Sequence, residues 1–456
     1  MSLPFLTMIF KIKNTLREKF YVENDNILPL ISGRLINSSL GWTTMKTALV
    51  LNGEHYGTLT AIRTLSSAGF KVFLAENRWY VPGALSNGLH KRLSHPDPLD
   101  EAEYMRWLMD FGKNHPGTFL YPVSDVTCWL YSKHGDQLRQ YFDLPYPGPQ
   151  VIRRILLKPE LNRAAAKVGI SHPETWSPSN AEEAANIASR EPLKEGFVVK
   201  PKTQMGQKIL HKGFIVLRQS DLVPVFDDFV SRFPSTEIEG LTNKSDCLPM
   251  IQRYVASSLK GVFSVAGFIS EDGKTFHTQG SVKTLQRPAK MGIGLCFESY
   301  SVPAELTEKV RKLCLELGYF GLFEAEFLMT EDNDAQIIDF NCRYYSQMGF
   351  DIKRGINGLA TLARISPTPQ ERGVSDHRVY RYSLSWFLCV LCLTQTLKLN
   401  LAFPGRWLPW LARRDGHYID KVYSSSDIMP LVGDIIQTVR TWIRHPRSSI
   451  KSLFNV

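Results

Sequence analysis

Three polar side chains on two neighbouring strands could together hold a divalent cation. Within FEAEFL the side chains alternate across a strand, so Glu324 and Glu326 share one face. Within IIDFNCR, Asp339, Asn341 and Arg343 share one face for the same reason, and the turn TEDNDA folds the two strands into an antiparallel hairpin. Carboxylate and amide oxygens are the ligands that Mg²⁺ prefers. The spacing therefore predicts a Mg²⁺ (or Mn²⁺) site at Glu326, Asp339 and Asn341; the alternative is the hydrated outer face of a hairpin.

Two lysines and a short strand could bind a nucleotide beside such a cation. Lys158 begins a helical segment, and Lys200 ends the buried strand FVVK, where its charge can meet phosphate oxygens. The alternative for each is a lysine that extends into solvent. The strand MIQRYV leaves the core for a loop, and Gln252, Arg253 and Val255 could there offer backbone groups to the edge of an adenine ring.

The elements that must carry these residues begin with a βαβ unit. KTALVLNG, a helical stretch closed by Gly69 and FKVFLAE follow one another, which predicts parallel strands and a right-handed crossover. The turn NGEHYGT lacks G-x-G-x-x-G, which argues against a dinucleotide-dependent oxidoreductase. FLYPVSD ends near Asp125, where loop residues face ligands at the carboxyl edge of a sheet. We expect His55 and His95 to be structural or exposed.

The pattern of strands and helices continues to about Arg364 and is then lost. A helix is predicted over about 152–168, a hairpin around the turn EDGK, and a helix over 305–317 that ends at Gly318. The chain of 456 residues is too long for one core, so we expect two or three subdomains. The last ninety or so residues are typical of a separate appendage.

Composition restricts the partners and the compartment. The net charge of +10 suits anionic small substrates or an anionic membrane surface, and no nucleic-acid motif accompanies it, so we expect no nucleic-acid partner. Seven scattered cysteines do not resemble a disulfide framework and indicate a reducing cytoplasm. The apolar segment 382–397 has an uncharged core shorter than the ~20 residues of a spanning helix, which predicts a buried or interfacial helix. Peripheral contact with the inner face of a membrane stays open, as does a homodimer.

The order of these motifs resembles the ATP-grasp superfamily of ligases. Lys158, FVVKPK, IQRYV, FEAEF and IIDFNCR succeed one another as in the carboxylate–amine ligases and the carbamoyl-phosphate synthase and biotin carboxylase group. DFNCR, which has Asp339 where the family's E-x-N-x-R has a glutamate, is the most specific of these motifs, and the resemblance covers about residues 46–360. It implies an α/β and α+β chain with an N-terminal extension (1–45), a Rossmann-like pre-ATP-grasp domain (46–150), a two-subdomain ATP-grasp domain (151–365) and a mostly helical C-terminal appendage (366–456).

The resemblance also implies a role for each motif. The two phosphate-binding lysines would be Lys158 and Lys200, and Arg343 would steady an acyl phosphate intermediate, so that Arg343 and Lys200 are the catalytic candidates. The adenine hinge would comprise Gln252, Arg253, Tyr254 and Val255, and the metal ligands Glu326, Asp339 and Asn341.

The phosphate-binding loop departs from the family pattern, and a later segment could bind a substrate. The loop PKTQMGQKILHKG after Lys200 is poor in glycine, and Lys202 could supply charge there in place of backbone amides. In LQRPAKMGIG, Arg287 and Lys290 could hold the carboxylate substrate; the alternative is a solvated loop.

The function that the sequence predicts is an ADP-forming ligase that uses ATP and Mg²⁺ to join a small carboxylate to an amine. Two alternatives remain. One is a bicarbonate-using carboxylase or carbamoyl-phosphate-type enzyme, and the other is a non-catalytic nucleotide-binding scaffold at a membrane.

Overall fold

The computed structural model describes residues 46–190, 196–205, 213–255, 261–287, 293–365, 380–384, 386–388, 390 and 417–446. Within these ranges the chain forms three β-sheets with helices packed around them.

The first sheet is parallel, and helices follow its strands. The strands lie in the order β3-β2-β1-β4-β5 and are β1 (Thr47–Leu51), β2 (Lys71–Ala75), β3 (Lys91–Leu93), β4 (Thr118–Leu120) and β5 (Phe142–Asp143). The helices are α1 (Tyr56–Ser67), α2 (Glu101–Asn114), α3 (Asp125–Lys133) and α4 (Gly135–Leu138). The apolar runs of β1 and β2 are buried almost throughout, as expected where helices cover a parallel sheet. The predicted βαβ unit is confirmed.

The second sheet is small and antiparallel. Its strands lie in the order β6-β9-β7-β8 and are β6 (Thr175–Trp176), β7 (Phe197–Lys200), β8 (Phe214–Val216) and β9 (Met250–Arg253). FVVK and MIQR are therefore neighbouring strands, with Lys200 opposite Met250. The helices of this region are α5 (Pro149–Leu156), α6 (Lys158–Lys167), α7 (Ala181–Arg190) and α8 (Leu222–Arg232).

The predicted helix over 152–168 is two helices, because the chain is extended at Leu157 between α5 and α6. Pro159 stands near the start of α6, where a proline is compatible with a helix but not with its continuation from the preceding turn. The break places Lys158 at a helix start, as the sequence predicted.

The third sheet has seven strands in the order β14-β13-β10-β11-β12-β15-β16. These are β10 (Val262–Ile269), β11 (Phe276–Arg287), β12 (Ile293–Tyr300), β13 (Gly321–Met329), β14 (Ala335–Asn341), β15 (Tyr380–Ser383) and β16 (His417–Asp420), and all pairs are antiparallel except the last. Three helices accompany them: α9 (Ala304–Leu317), α10 (Met348–Lys353) and α11 (Gly358–Leu362). Both predicted hairpins are confirmed, and α9 ends at Gly318 in the left-handed conformation, as predicted.

The first and third sheets share one hydrophobic core, whereas the second sheet has its own. Leu49 of β1 and Phe323 of β13 belong to the same buried cluster. The amide of Leu322 donates to the Tyr121 hydroxyl at 2.9 Å across this boundary. The separate cluster under β7 and α8 includes Val199 and Phe226. A lobe with an independent core can shift relative to the other two sheets more easily than they can shift relative to each other.

The C-terminal segment does not stand apart where it is described, which differs from the appendage that the sequence predicted. β15 pairs with β12 and extends the third sheet, and α12 (Met429–Arg444) packs against the 3₁₀ turn Pro82–Leu85. The described residues belong to one unit, Met45–Val456. The apolar segment 382–397 lies largely outside the described residues. Among those described, no helix is at once long and apolar enough to cross a bilayer.

Asp427 fastens this segment to the first sheet. Its buried carboxylate accepts from the Arg63 Nε at 2.9 Å, the Ser86 hydroxyl at 2.7 Å and the Asn87 amide at 2.9 Å. Removing one partner of a buried ion pair leaves the other charge uncompensated.

We therefore expect Asp427→Ala to lower the free energy of unfolding by about 3 kcal/mol, as for other broken buried ion pairs. The measurement is urea unfolding followed by circular dichroism. Asp136→Ala, which removes a fully exposed carboxylate, serves as the control and should change stability by less than about 0.5 kcal/mol. Equal effects of the two substitutions would contradict the anchoring role of Asp427.

Candidate active site

The hairpin of β13 and β14 brings the predicted metal ligands into one cavity. Glu326 lies opposite Asp339, and Glu324 lies opposite Asn341. All four side chains and Arg343 line a cavity of about 180 Å³. Its remaining wall is formed by His55, Asp125, Gln204, Lys283, Gly294, Phe297, Ser346 and Gln347. These side chains therefore converge in the structure, as the sequence predicted.

Two lysines balance the acids of this cavity. Lys158 donates from its Nζ to the Asp339 Oδ1 at 2.7 Å, and Lys283 donates to the Glu326 Oε2 at 2.9 Å. The Lys283–Glu326 pair is almost completely buried. Because a buried carboxylate is costly without nearby positive charge, Lys283 offsets the cost of burying Glu326, and Lys158 pairs with the half-buried Asp339. Lys158 was predicted at the site, but Lys283 was not.

Glu324 is a further acid of this cavity, and its surroundings are unfavourable for a charged carboxylate. It is buried and accepts from the Ser264 hydroxyl at 2.9 Å, the Gln347 Nε2 at 2.7 Å and the Asn341 Nδ2 at 3.1 Å. Burial, and then repulsion by Glu326, raise the pKa of Glu324 to about 7. Its surroundings therefore disfavour the ionised form of Glu324, although Lys283 and Arg343 act in the opposite direction.

The oxygen donors of this cavity suit a hard cation whose remaining coordination positions are filled by phosphate oxygens. Within the described ranges, no group of three or more His, Cys, Asp or Glu side chains is arranged to hold a metal by itself. Mg²⁺ commonly takes one or two carboxylates and leaves its other positions to phosphates and water. Glu326 and Asp339 supply two carboxylates, and the Asn341 amide oxygen is not used in its bond to Glu324. Added positive charge would also offset the burial and the repulsion by Glu326 that together raise the pKa of Glu324.

The lysines after β7 meet the start of α6. The Lys158 amide donates to the Lys202 carbonyl at 2.9 Å, which joins the two predicted phosphate-binding segments. Lys200 is buried at the end of β7. Lys202 donates from its Nζ to the Ser245 carbonyl at 2.7 Å, and burial lowers its pKa. Two residues further on, Gln204 lines the cavity, so this loop leads from the lysines to the acids.

The predicted adenine hinge is held firmly by its neighbours. The Gln252 Nε2 donates to the Thr175 hydroxyl at 2.9 Å, and Arg253 pairs with Glu174 at 2.8 Å. The amides of Arg253 and Tyr254 donate to the carbonyls of Glu174 and Gly196. These two amides therefore do not face a ligand. An adenine hinge at Gln252–Val255 stays a prediction, and such a hinge would have to use the other backbone groups of this segment.

Arg287 stands at the end of β11, and Lys290 lies outside the described residues. Their predicted contact with a carboxylate substrate stays a prediction.

Arg343 joins the third sheet to the carboxyl edge of the first. Its Nε donates to the Asp125 Oδ1 at 3.0 Å. Asp125 is the first residue of α3, which begins with a capping box between Ser124 and Thr127. A capped helix start fixes the backbone of Asp125, so the carboxylate holds the guanidinium in one orientation. The expectation that residues near Asp125 face a ligand agrees with their place in the cavity wall.

His55, which the sequence predicted to be structural or exposed, lines the cavity on the same side. Its Nε2 lies 3.5 Å from the Ser346 hydroxyl. Burial, with the charges of Arg343 and Lys421, lowers the pKa of His55 to about 3. The imidazole is therefore neutral at physiological pH and can exchange hydrogen bonds with a ligand without carrying charge.

Solved structures that match the chain share the ATP-grasp fold, and the chain has that fold. No family model and no curated protein matches the sequence. The biotin carboxylase domain of the Hydrogenobacter thermophilus 2-oxoglutarate carboxylase is 16% identical, with a TM-score of 0.55 over 70% of this chain and 69% of that one.

Two smaller ligases match in the same way. The N5-carboxyaminoimidazole synthetase of Staphylococcus aureus is 14% identical, with a TM-score of 0.52 over 71% of this chain and 78% of that one. The L-amino acid ligase of Bacillus licheniformis is 13% identical, with a TM-score of 0.50 over 72% of this chain and 75% of that one. The predicted fold class is confirmed.

Several lining residues were not predicted as site residues, and among them Glu324 left a usable signal in the sequence. Glu324 is two positions before Glu326 and so had to share its face. Ser264 pairs with both Ser281 and Glu326, which places Lys283, two positions after Ser281, on the same face. Gln347 follows the hairpin in an irregular turn, and no periodicity indicates where its side chain points.

The raised pKa of Glu324 implies that the stability of the folded chain depends on pH. Below its usual value of 4.5 the group is protonated in both the folded and unfolded chain; above about 7 it is ionised in both, and the folded chain carries the cost of burying it. The contribution of Glu324 to the free energy of unfolding should therefore fall by about 3 kcal/mol between these two pH values, from 1.36 kcal/mol per unit of pKa.

Glu324→Gln should remove this fall, because it has no carboxyl to ionise. Urea unfolding at pH 5 and pH 8 without Mg²⁺ or nucleotide would measure the difference between the two proteins. Glu331→Gln, an exposed position in the β13–β14 turn, is the matched control and should keep the wild-type pH dependence. The same pH dependence in Glu324→Gln and wild type would contradict the assignment.

Proposed function

We propose that this protein is an ADP-forming ligase that uses ATP and Mg²⁺ to activate a small carboxylate as an acyl phosphate and joins it to an amine. The observation that carries the proposal is the single cavity in which Glu326, Asp339 and Asn341 face Arg343, with Lys158 bonded to Asp339 at 2.7 Å. The ATP-grasp fold of the chain supports it, because the matching structures include ligases, one of them with MgADP.

Glu326, Asp339 and Asn341 would hold Mg²⁺, which when bound neutralises phosphate charge and orients the phosphoryl group for transfer. In this scheme Lys158, which pairs with Asp339, has a second role as a phosphate-binding residue. Lys158, which donates to Asp339 in the absence of a cation, would contribute its charge to phosphate oxygens when the carboxylates hold the cation. Lys200 lies two residues before Lys202, whose carbonyl accepts from the Lys158 amide, and would contribute the second positive charge to the phosphates.

Arg343 would stabilise the oxygens that gain negative charge as the phosphoryl group moves to the carboxylate. Its orientation is set by Asp125 before any ligand binds. Preorganised donors of this kind contribute to catalysis because they need not reorient during the reaction. A lysine could not replace Arg343 fully, since an ammonium lacks the planar fork that donates to two oxygens at once.

The acceptor would lie against the wall formed by His55, Ser346 and Gln347. A cavity of about 180 Å³ lined by polar side chains suits a small, polar substrate rather than a peptide or a lipid chain. The matching structures are named for bicarbonate complexes, an aminoimidazole and L-amino acids, all small molecules. We also propose a cytoplasmic location, and a homodimer, since the matching biotin carboxylase domain is described as a dimer.

The test is a screen for ADP release in the presence of MgATP and pairs of amino acids, small carboxylates and bicarbonate. We expect one pair to stimulate release, and Asp339→Asn to reduce the stimulated rate by about 100-fold or more, as for the loss of one preorganised charged group. Asp332→Asn changes an exposed carboxylate in the turn of the same hairpin and should leave the rate unchanged.

Each other outcome identifies a different function. Stimulation by bicarbonate in place of an organic carboxylate would assign a carboxylase or carbamoyl-phosphate-type enzyme. Nucleotide binding with no release of ADP under any pair would contradict the ligase and assign a nucleotide-binding scaffold.

A further inference from the structure

The helix α12 exposes a row of large apolar side chains. Ile428, the residue before α12, and Ile435, Val439 and Ile443 within it are exposed, and Ile443 is 72% exposed. Their spacing of seven, four and four residues places them on one side of a helix. We refer to these four residues as the outer face of α12. A contiguous apolar row on a protein surface commonly marks an interaction site, whereas single exposed apolar residues do not.

The inner side of α12 is fixed, so the outer face cannot turn inward. Asp434 is buried and accepts from the Tyr56 hydroxyl at 3.2 Å and from the Trp386 Nε1 at 2.8 Å. A Cβ on Gly433 would lie 3.0 Å from the Val81 carbonyl carbon, which shows how closely the helix meets the chain beneath it. The exposure of the outer face is therefore a consequence of how α12 is anchored.

Positive charge accompanies this row. Arg440 and Arg444 are exposed on α12, and from Ile435 to Val456 the sequence contains four Lys or Arg residues and no Asp or Glu. The Arg440 guanidinium lies 4.4 Å from the centre of the Tyr80 ring. Trp79, next to Tyr80, is half exposed. Apolar side chains bordered by arginines and an exposed tryptophan are typical of surfaces that rest in the headgroup layer of a bilayer.

We propose that the outer face of α12 docks on the surface of an anionic lipid bilayer. The apolar row would enter the headgroup layer, and Arg440 and Arg444 would contact lipid phosphates. The basic side chains beside the row favour an anionic surface as its partner, and a second copy of the chain is the alternative that the experiment distinguishes. The proposal is independent of the ligase function, since none of its residues lines the cavity.

Vesicle co-sedimentation of the full chain tests the proposal. We expect binding to vesicles of phosphatidylcholine with phosphatidylglycerol, and little binding to phosphatidylcholine alone. The double variant Val439→Ser and Ile443→Ser should weaken binding about tenfold or more, because it removes buried apolar area from the contact. Leu99→Ser is the matched control: Leu99 is 70% exposed, away from α12, and its replacement should leave binding unchanged.

A second pair of variants tests the contribution of charge. Arg444→Gln should weaken binding to the anionic vesicles about threefold to tenfold, since a basic residue near such a surface contributes about 1 kcal/mol. Arg218→Gln removes an exposed charge elsewhere and should have no effect. Thermal unfolding of each variant verifies that the fold is retained.

Three results would overturn the proposal. They are the absence of binding to anionic vesicles, binding that the double variant keeps, and a concentration-dependent dimer that only the outer-face variants dissociate. The last would assign the outer face to a second copy of the chain.

Discussion

Buried carboxylates need positive charge close to them, and this requirement governs the centre of the molecule. Glu326 and Asp339 face each other across the β13–β14 hairpin, and each is bonded to a lysine from another element. Lys158 comes from the start of α6 and Lys283 from β11. The position of the helix start is thus tied to the charge of the hairpin. Neutralising the acids would remove the ion pairs that join α6 and β11 to the hairpin.

The cavity lies where residues from all three sheet regions of the chain come together. The first sheet supplies Asp125 and His55, the third supplies the acids, and the loop after β7 supplies Gln204. The first and third sheets share a core, so their contribution is rigid. The second sheet has its own core and approaches through the Lys158–Lys202 backbone bond. A site built in this way is fixed on one side and adjustable on the other.

The sequence predicted the parts of the site that depend on periodicity. Alternation along a strand indicates which face Glu326 or Asn341 occupies, because the period of two leaves no choice once the strand is identified. It could not identify Lys283, whose place depends on the register between β10 and β11. Nor could it place His55 in the cavity wall, since this contact joins residues 55 and 346 through tertiary packing. The C-terminal strands were missed because β15 and β16 are short and their partners are distant in sequence.

Asp434 of α12 bonds to Tyr56, and the residue before Tyr56 in the chain is His55, which lines the cavity. A single side chain thus connects the C-terminal helix to a residue that would contact substrate. Changes in the C-terminal sequence that shift α12 would consequently alter the shape of the acceptor wall while leaving the acids and lysines untouched. Natural variation in substrate preference among proteins of this architecture could therefore arise far along the chain from any nucleotide-binding motif.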